Sequence, residues 1–325
     1  MKSDIIKDML GKKILLSGVK PTGKPHIGNY FGAMKQFVGL QISYESYIFI
    51  ADLHAITTIQ NKEELARNTF NVFLDYLSIG LDPKKVVIYK QSDVPQVTEL
   101  GWIFNCITTM PYLGRAHAYK DAVANNKETN VGLFDYPLLM AADILIQGAD
   151  VVPVGQDQKQ HVEIARDTAE KFNRIFGETF KLPEPLILKG VAAVPGIDGR
   201  KMSKSYSNTI SLFATDEEIE KSVMNIVTDS SGERPENVYA IHALLKDKEF
   251  LDNLYEENKG EYKILKEMLI DDLKDFIRPM RERRQKLEQD KNTVLKVLRE
   301  GGEVARERVE KKMEEIREKV GLKLS

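Results

Sequence analysis

Three short runs rich in β-branched and aromatic residues, at 13–18 (KILLSG), 47–55 (YIFIADLHA) and 86–92 (VVIYKQS), alternate with helical patterns at 27–40 and 62–79, the second closed by Gly80. This rhythm is the strongest constraint on the fold. The runs are apolar almost throughout, as expected of strands covered on both faces. Parallel neighbours need a crossover, which a right-handed helix supplies. A further strand is expected at 150–155 (DVVPVG), followed by a long amphipathic helix over DQKQHVEIARDTAEKF. Before it, PLLMAADILIQG predicts a helix with Pro137 in its first turn and Gly148 at its end. The pattern loosens near 110–135 (YLGRAHAYKDAVANNKETN), which reads as an insertion. From about Asp216 helices rich in both charge signs take over, and 282–299 and 303–319 are polar enough to predict outward faces. The expected fold class is therefore α/β, a Rossmann-like parallel sheet with helices on both faces over 1–212, plus an all-helical part over 213–325.

Composition removes several classes of protein. The 325 residues carry a net charge of -2, which argues against a chain that coats nucleic acid non-specifically but leaves room for a local basic face. The single cysteine, Cys106, rules out an internal disulfide framework and multi-cysteine metal sites, and fits a reducing compartment. MKSDIIKDML has no long apolar segment, and no run of 18 apolar residues occurs, so the expectation is a cytoplasmic protein without a membrane partner.

Two segments carry chemistry. In GVKPTGKPHIGNYFGAMKQF, residues 18–37, Gly18 and Gly23 permit a tight turn at the end of the first strand. Gly28 leaves room for a flat ring against the backbone, and His26 and Asn29 are polar groups at a helix N-terminus that favours phosphate. A tight turn capped by His and Asn is an equally good reading of this segment alone, and it is no Walker loop. Residues 196–208, GIDGRKMSKSYSN, hold Arg200, Lys201 and Lys204 among glycines and serines. Such a loop suits a pyrophosphate whose charge grows as it leaves, while the plain alternative is a solvated basic loop.

HIGN at 26–29 with KMSKS at 201–205 resembles the class I aminoacyl-tRNA synthetases. Within that class YPLLMAADIL, VPVGQDQKQHVEIARDTAEKFN, VTDS and IRPMRERR are similar, in the same order, to the tryptophanyl-tRNA synthetases. The resemblance runs from Lys13 to about Leu322. It implies a two-step ligase: ATP, with Mg2+, activates L-tryptophan, and tRNA(Trp) takes the acyl group. His26, Asn29, Lys201 and Lys204 are the implied catalytic residues. ATP would be held by Lys20, Pro21, Thr22, Gly28, Asn29, the ribose segment Gly155, Gln156 and Asp157, Val194 near the adenine, and Lys201, Met202, Ser203, Lys204 and Ser205. The resemblance makes Asp143 the acceptor for the indole N–H and Met140 a packing surface for the ring. Tyr136 and Gln158 would hold the α-amino group, with His54 and Gly18 completing the pocket. Tyr136, Met140 and Asp143 also share one helix face by spacing. His54 reads equally well as a satisfied core histidine, and His161 as a structural residue. No resident transition metal is expected.

Lys20 stands where many bacterial members carry glutamine, and a cation there is expected to alter ATP affinity; unaltered kinetics of Lys20→Gln would remove that expectation. Tyrosyl-tRNA synthetases share both motifs, but resemble a site with a tyrosine on the first strand and a glutamine at position 140; here stand Leu16 and Met140. A small-molecule nucleotidylyltransferase would lack the helical tail, and an idle RNA-binding paralogue would lose the glycine turn and lysine loop first. The helical part is expected to read the anticodon, with Arg278, Arg281, Arg283 and Arg284 as a basic cluster, although a solvated face is the better reading of each arginine singly. The family implies a homodimer.

Overall fold

The computed structural model of the chain describes residues 11–124, 129–187, 194–228 and 234–324. The N-terminal decapeptide, part of the insertion and the last two residues of VTDS lie outside them. Five parallel strands form one sheet in the order β3-β2-β1-β4-β5, with β1 Ile14–Val19, β2 Glu45–Ile50, β3 Val86–Lys90, β4 Val151–Val154 and β5 Glu184–Ile187. β1 meets β2 with Leu16 opposite Tyr47 and meets β4 at Leu15 and Val151. The order reverses between β1 and β4, and at such a switch point the helices leave on opposite faces and a crevice opens beyond the strand ends.

The helices that matter here are α1, built from Ile27–Asn29, a π-helical turn Tyr30–Met34 and Lys35–Leu40; α2 Lys62–Ser78; α3 Gln96–Ile107; α4 Val131–Ile146; and α5 Lys159–Phe176. They are followed by α6 Asp216–Met224, α7 Glu236–His242, α8 Lys248–Glu257, α9 Tyr262–Gln289 and α10 Lys291–Lys319. Alternate strand residues feed two cores. Leu16, Tyr47, Phe49, Val87, Tyr89, Val152 and Val154 pack with α3, α4, α5 and α10. Ile48, Ile50, Val86 and Ile88 pack with α1, α2, α6 and α9. Coverage on both faces is why the strands read as continuous apolar runs.

Several boundaries differ from expectation for local reasons. The run 47–55 stops being a strand at Ile50, and Asp52–Ala55 forms a helical turn. Residues 86–92 end as a strand at Lys90 and continue as a 3-10 turn, Gln91–Asp93. Pro137 is not in the first turn but inside α4, because Asn130 caps the helix earlier by accepting from the Leu133 N–H at 2.8 Å. Gly148 does end that region, with φ +65. β5 was not anticipated; its four residues, EPLI, include a proline and show no alternation.

The outward reading of 303–319 is corrected more strongly. α10 is charged on one side, yet Val304, Ala305, Val309, Met313 and Ile316 are buried with the sheet core. The helix lies against edge strand β3: a β-carbon at Gly301 would stand 2.0 Å from the Ile88 carbonyl oxygen, and one at Gly302 2.8 Å from the Asp93 carboxylate. Arg317 anchors the far end on Glu99 of α3 through two hydrogen bonds, 2.6 and 2.8 Å. Charged residues thus rim a buried stripe, which the polarity of the segment masked. Gly301→Ala gains helix propensity of up to about 1 kcal/mol. It must also push backbone from backbone, and overpacking of this kind costs about 1–3 kcal/mol or more. The expected outcome is a net loss of stability, read as a lower urea midpoint; an unchanged or raised midpoint would show that α10 can lift away freely.

Candidate active site

Two connected cavities open beyond the carboxyl ends of β1 and β4. One, of about 810 Å³, is lined by the turn after β1, the start of α1 and residues 201–206. The other, of about 1020 Å³, runs deeper between β1, β4 and α4. Both include Val19, Lys20, Thr22, Gly32, Ala33 and Tyr76, so the two cavities share a wall.

His26 caps α1. Its Nδ1 accepts from the Asn29 N–H at 3.3 Å, while the Asn29 side-chain oxygen accepts from the His26 N–H at 3.1 Å. This reciprocal box satisfies two helix N-terminal donors within the chain. Gly28 is required beside it, since a β-carbon there would stand 2.9 Å from the His26 ring. Burial, then the Lys204 charge, lower His26 to about 4, so the imidazole is neutral near pH 7 and its Nε2 carries the proton as a donor. The sign of the stability linkage follows. An unfolded His26, near 6.5, binds a proton that the native one refuses until about pH 4. Its contribution is therefore complete above about pH 6.5 and lost as pH falls toward 4. His26→Asn is expected to flatten the dependence of the unfolding midpoint on pH across that window; an identical slope in both proteins would contradict the burial of a neutral ring.

The lysine loop reaches this turn by a short strip of backbone pairing. Ile27 N donates to Ile210 O and Leu212 N to Pro25 O, both at 3.0 Å. Residues 182 positions apart are joined when Lys204 Nζ donates to the Thr22 carbonyl at 2.7 Å. Val194 and Met202 are buried and line the same cleft, as do Lys201, Ser203 and Ser205. Partial burial lowers both Lys20 and Lys204 from the usual lysine value. A partly desolvated cation attracts an anion more strongly than one in bulk water. Lys20 donates to Thr57 Oγ1 at 3.4 Å and faces both cavities.

The deeper cavity collects Gly18, His54, Tyr136, Met140, Gly155, Gln156 and Gln158, with Leu16 and Phe49 beneath. The Asp157 side chain lies outside the described residues. Pro21 is buried in the turn behind Lys20. Asp143 is 3% exposed, and the cavity wall beside it is formed by Met140, Ile144 and His54. Its Oδ2 accepts from Gln91 Nε2 at 2.8 Å and meets His54 Nε2 at 3.2 Å, and His54 is the member of the pair that lines the cavity. Burial raises the Asp143 carboxyl, and the bonds to His54 and Gln91 oppose that rise. Where Asp143 is ionised it accepts from His54 Nε2–H. Tyr136 Oη bonds His161 Nε2 at 2.6 Å, which gives that histidine its structural task. Gln91, wholly buried at the carboxyl end of β3, was missed by sequence reading. Its position at a strand end, where parallel sheets gather ligands, was the available signal.

The arginine cluster is corrected. Arg281 donates to Ala214 O and Asp216, at 2.5 and 2.7 Å, and Arg283 to Ser78 O at 2.8 Å. Arg284 donates to Asp75 Oδ1 at 2.7 Å and to Asn71, and stacks over Phe213. Three of the four side chains are thus spent joining α9 to α2 and to the segment after the lysine loop. Arg278, paired with Asp275 on its own helix, and Arg283 remain exposed, while Arg281 and Arg284 are half-buried.

A switch-point cleft closed by a HIGN turn and a KMSKS loop defines the class. The family model described as tRNA synthetases class I (W and Y) matches residues 10–296, and the chain belongs to that family. The tryptophan–tRNA ligase of Fusobacterium nucleatum is 50% identical over 94% of this chain and 97% of its own length. That of Rhodopirellula baltica is 43% identical over 95% and 99%. The crystal structure of tryptophanyl-tRNA synthetase from Campylobacter jejuni complexed with ADP and tryptophan superposes with a TM-score of 0.89 at 42% identity, covering 95% of this chain and 99% of the other. Within the family, the chain's place is among the tryptophan–tRNA ligases. A tyrosyl-tRNA synthetase from Archaeoglobus fulgidus, at 22% identity, shares the fold.

Proposed function

We propose that the chain activates L-tryptophan in the deeper cavity with ATP held in the outer one, and then charges tRNA(Trp). A carboxylate oxygen of tryptophan attacks the α-phosphorus, the bond to the bridging oxygen breaks, and pyrophosphate leaves with tryptophanyl-adenylate remaining. A terminal ribose hydroxyl of the tRNA then attacks the acyl carbon and AMP departs. No side chain needs to become a nucleophile; holding the reactants in line and matching the developing charge suffice. The observation that carries this reading is the junction of the two cavities at Lys20 and Thr22, with Lys204 anchored on the Thr22 carbonyl.

In this reading the start of α1, with His26 Nε2–H and Asn29, holds the nucleotide, Gly155 to Asp157 hold the ribose, Val194 the adenine, and Lys201 and Lys204 follow the pyrophosphate. The His54–Asp143 pair, steadied by Gln91, receives the indole N–H, while Met140 packs on the ring and Tyr136 and Gln158 take the amino group. Among the described residues no three His, Cys, Asp or Glu side chains gather as a metal site. Lys20, Lys201 and Lys204 in the outer cleft would hold phosphate oxygens, and the oxygen donors there, Ser203, Ser205 and Asp75, would suit Mg2+ carried on the triphosphate, which would supply charge neutralisation. Anticodon reading belongs to the helical part over 213–325, without Arg281 and Arg284, whose donors are committed within the chain. A cytoplasmic homodimer completes the proposal. Exposed Trp102, Met110 and Val131 are apolar surface that a second copy would cover. Sedimentation as a single chain would remove the dimer.

The decisive experiment is ATP–pyrophosphate exchange with each amino acid in turn. Tryptophan should support exchange and tyrosine should not, because Leu16 and Met140 would leave a buried phenol hydroxyl unpaired. Equal exchange with tyrosine, or none with tryptophan, would overturn the assignment.

A further inference from the structure

The lysine loop is folded around one amide. Asn208 is 1% exposed and sits three residues beyond KMSKS, just after Ser207, which adopts a left-handed φ of 51. Its Nδ2 donates to Asp198 Oδ1 at 2.7 Å and to the Lys201 carbonyl at 3.2 Å. Its Oδ1 accepts from the Ser203 N–H at 2.8 Å, and its own carbonyl accepts from the Ile197 N–H at 3.0 Å. One side chain therefore holds the loop before, at and after Lys201. The packing is equally specific. A β-carbon on Gly196 would fall 2.3 Å from the Asn208 amide, so the loop closes on it only with glycine there. Asp198, held low first by Asn208 and then by Arg200, also binds Arg200, whose guanidinium lies 4.4 Å over the Tyr206 ring.

We infer that Asn208 is a positioning residue for adenylate formation: it sets the backbone from which Lys201 and Lys204 reach the leaving pyrophosphate. The inference rests on the proposed reaction and adds a residue to it. A buried amide that spends both N–H groups and its oxygen on one loop is costly to remove, because partners inside that loop lose their bonds while Asp198 keeps only Arg200. The partners lost here are the Lys201 carbonyl and the Ser203 N–H, the two peptide groups flanking Met202, and Met202 is the buried residue that seats the loop against Gly28. Without Asn208 the lysines are still present but no longer pre-placed. Positioned charge of this kind acts on the transition state rather than on ground-state binding.

The test is Asn208→Ala in the full chain, with pyrophosphate exchange and tryptophan binding by equilibrium dialysis measured on the same sample. Wild-type exchange comes first; its absence would sink the adenylate reading itself. The expected result is a fall in turnover of at least about tenfold with tryptophan affinity kept, since no residue of 194–208 lines the amino-acid cavity. Combined with Lys204→Ala, the second substitution should add less than its own single loss, because part of what Asn208 does is to place that cation and the rest acts through Lys201. Loss of tryptophan binding along with turnover would overturn the inference, as a general structural role predicts. So would a double variant whose loss is the product of the two single losses.

Discussion

Lys204→Ala is expected to slow tryptophanyl-adenylate formation by about two to three orders of magnitude, the loss typical of one preorganised donor to a developing charge. The argument begins with where the ammonium sits. Lys204 is partly desolvated and is tethered to the Thr22 carbonyl, a weak neutral acceptor at the lip of the nucleotide cleft. When pyrophosphate charge builds, exchanging that carbonyl for a phosphate oxygen converts an ordinary hydrogen bond into a charge-assisted one. The gain grows with charge, so it appears in turnover. Tryptophan lies in the neighbouring cavity, whose lining includes Lys20 but not Lys204. Its KM should therefore stay within about twofold. Steady-state exchange kinetics at saturating ATP check this, and a tryptophan KM rising in step with the fall in turnover would refute a transition-state role.

Much of this site was legible because its chemistry is local in sequence. His26, Gly28 and Asn29 form one turn, and KMSKS one loop; residue types and spacing reveal each. The parallel sheet was legible for a related reason, since burial on both faces leaves unbroken apolar runs. What could not be read depends on packing between distant segments. Asp143 stands as a carboxylate in an apolar helix, but its bonds to His54 and Gln91 depend on segments far away in sequence, the helical turn after β2 and the turn after β3. Asn208 lies inside a quoted motif, and nothing in its neighbours announces that the loop folds around it. α10 shows the limit most clearly: seventeen residues of mixed charge at 303–319 hide a stripe of small and apolar side chains against the sheet. The arginines of IRPMRERR divide for the converse reason: Arg278 and Arg283 stay exposed as a solvated face would, and only the structure shows that Arg281 and Arg284 are committed to partners within the chain.

That commitment yields the largest expected effect on stability. Asp75 lines the nucleotide cleft, is 2% exposed, and is driven up to about 6 by burial even with Arg284 bonded to it. Arg284→Leu removes the partner and the guanidinium stacked on Phe213, leaving a carboxyl buried between α2 and α9. Breaking a buried pair from one side costs about 3–5 kcal/mol, far above the value of a surface contact. The carboxyl would escape part of that cost by taking up a proton near neutral pH, which in turn withdraws the negative charge that Lys204 feels from Asp75. Two consequences follow that an RNA-contact role could not produce. The urea midpoint should fall sharply, and pyrophosphate exchange should weaken in the complete absence of tRNA. Adding Asp75→Asn to Arg284→Leu should recover part of the lost stability, because the stranded charge is gone. If Arg284→Leu instead keeps its midpoint and its exchange rate, and loses only aminoacylation, the arginine belongs to the RNA interface after all and the link from α9 to the nucleotide cleft is void.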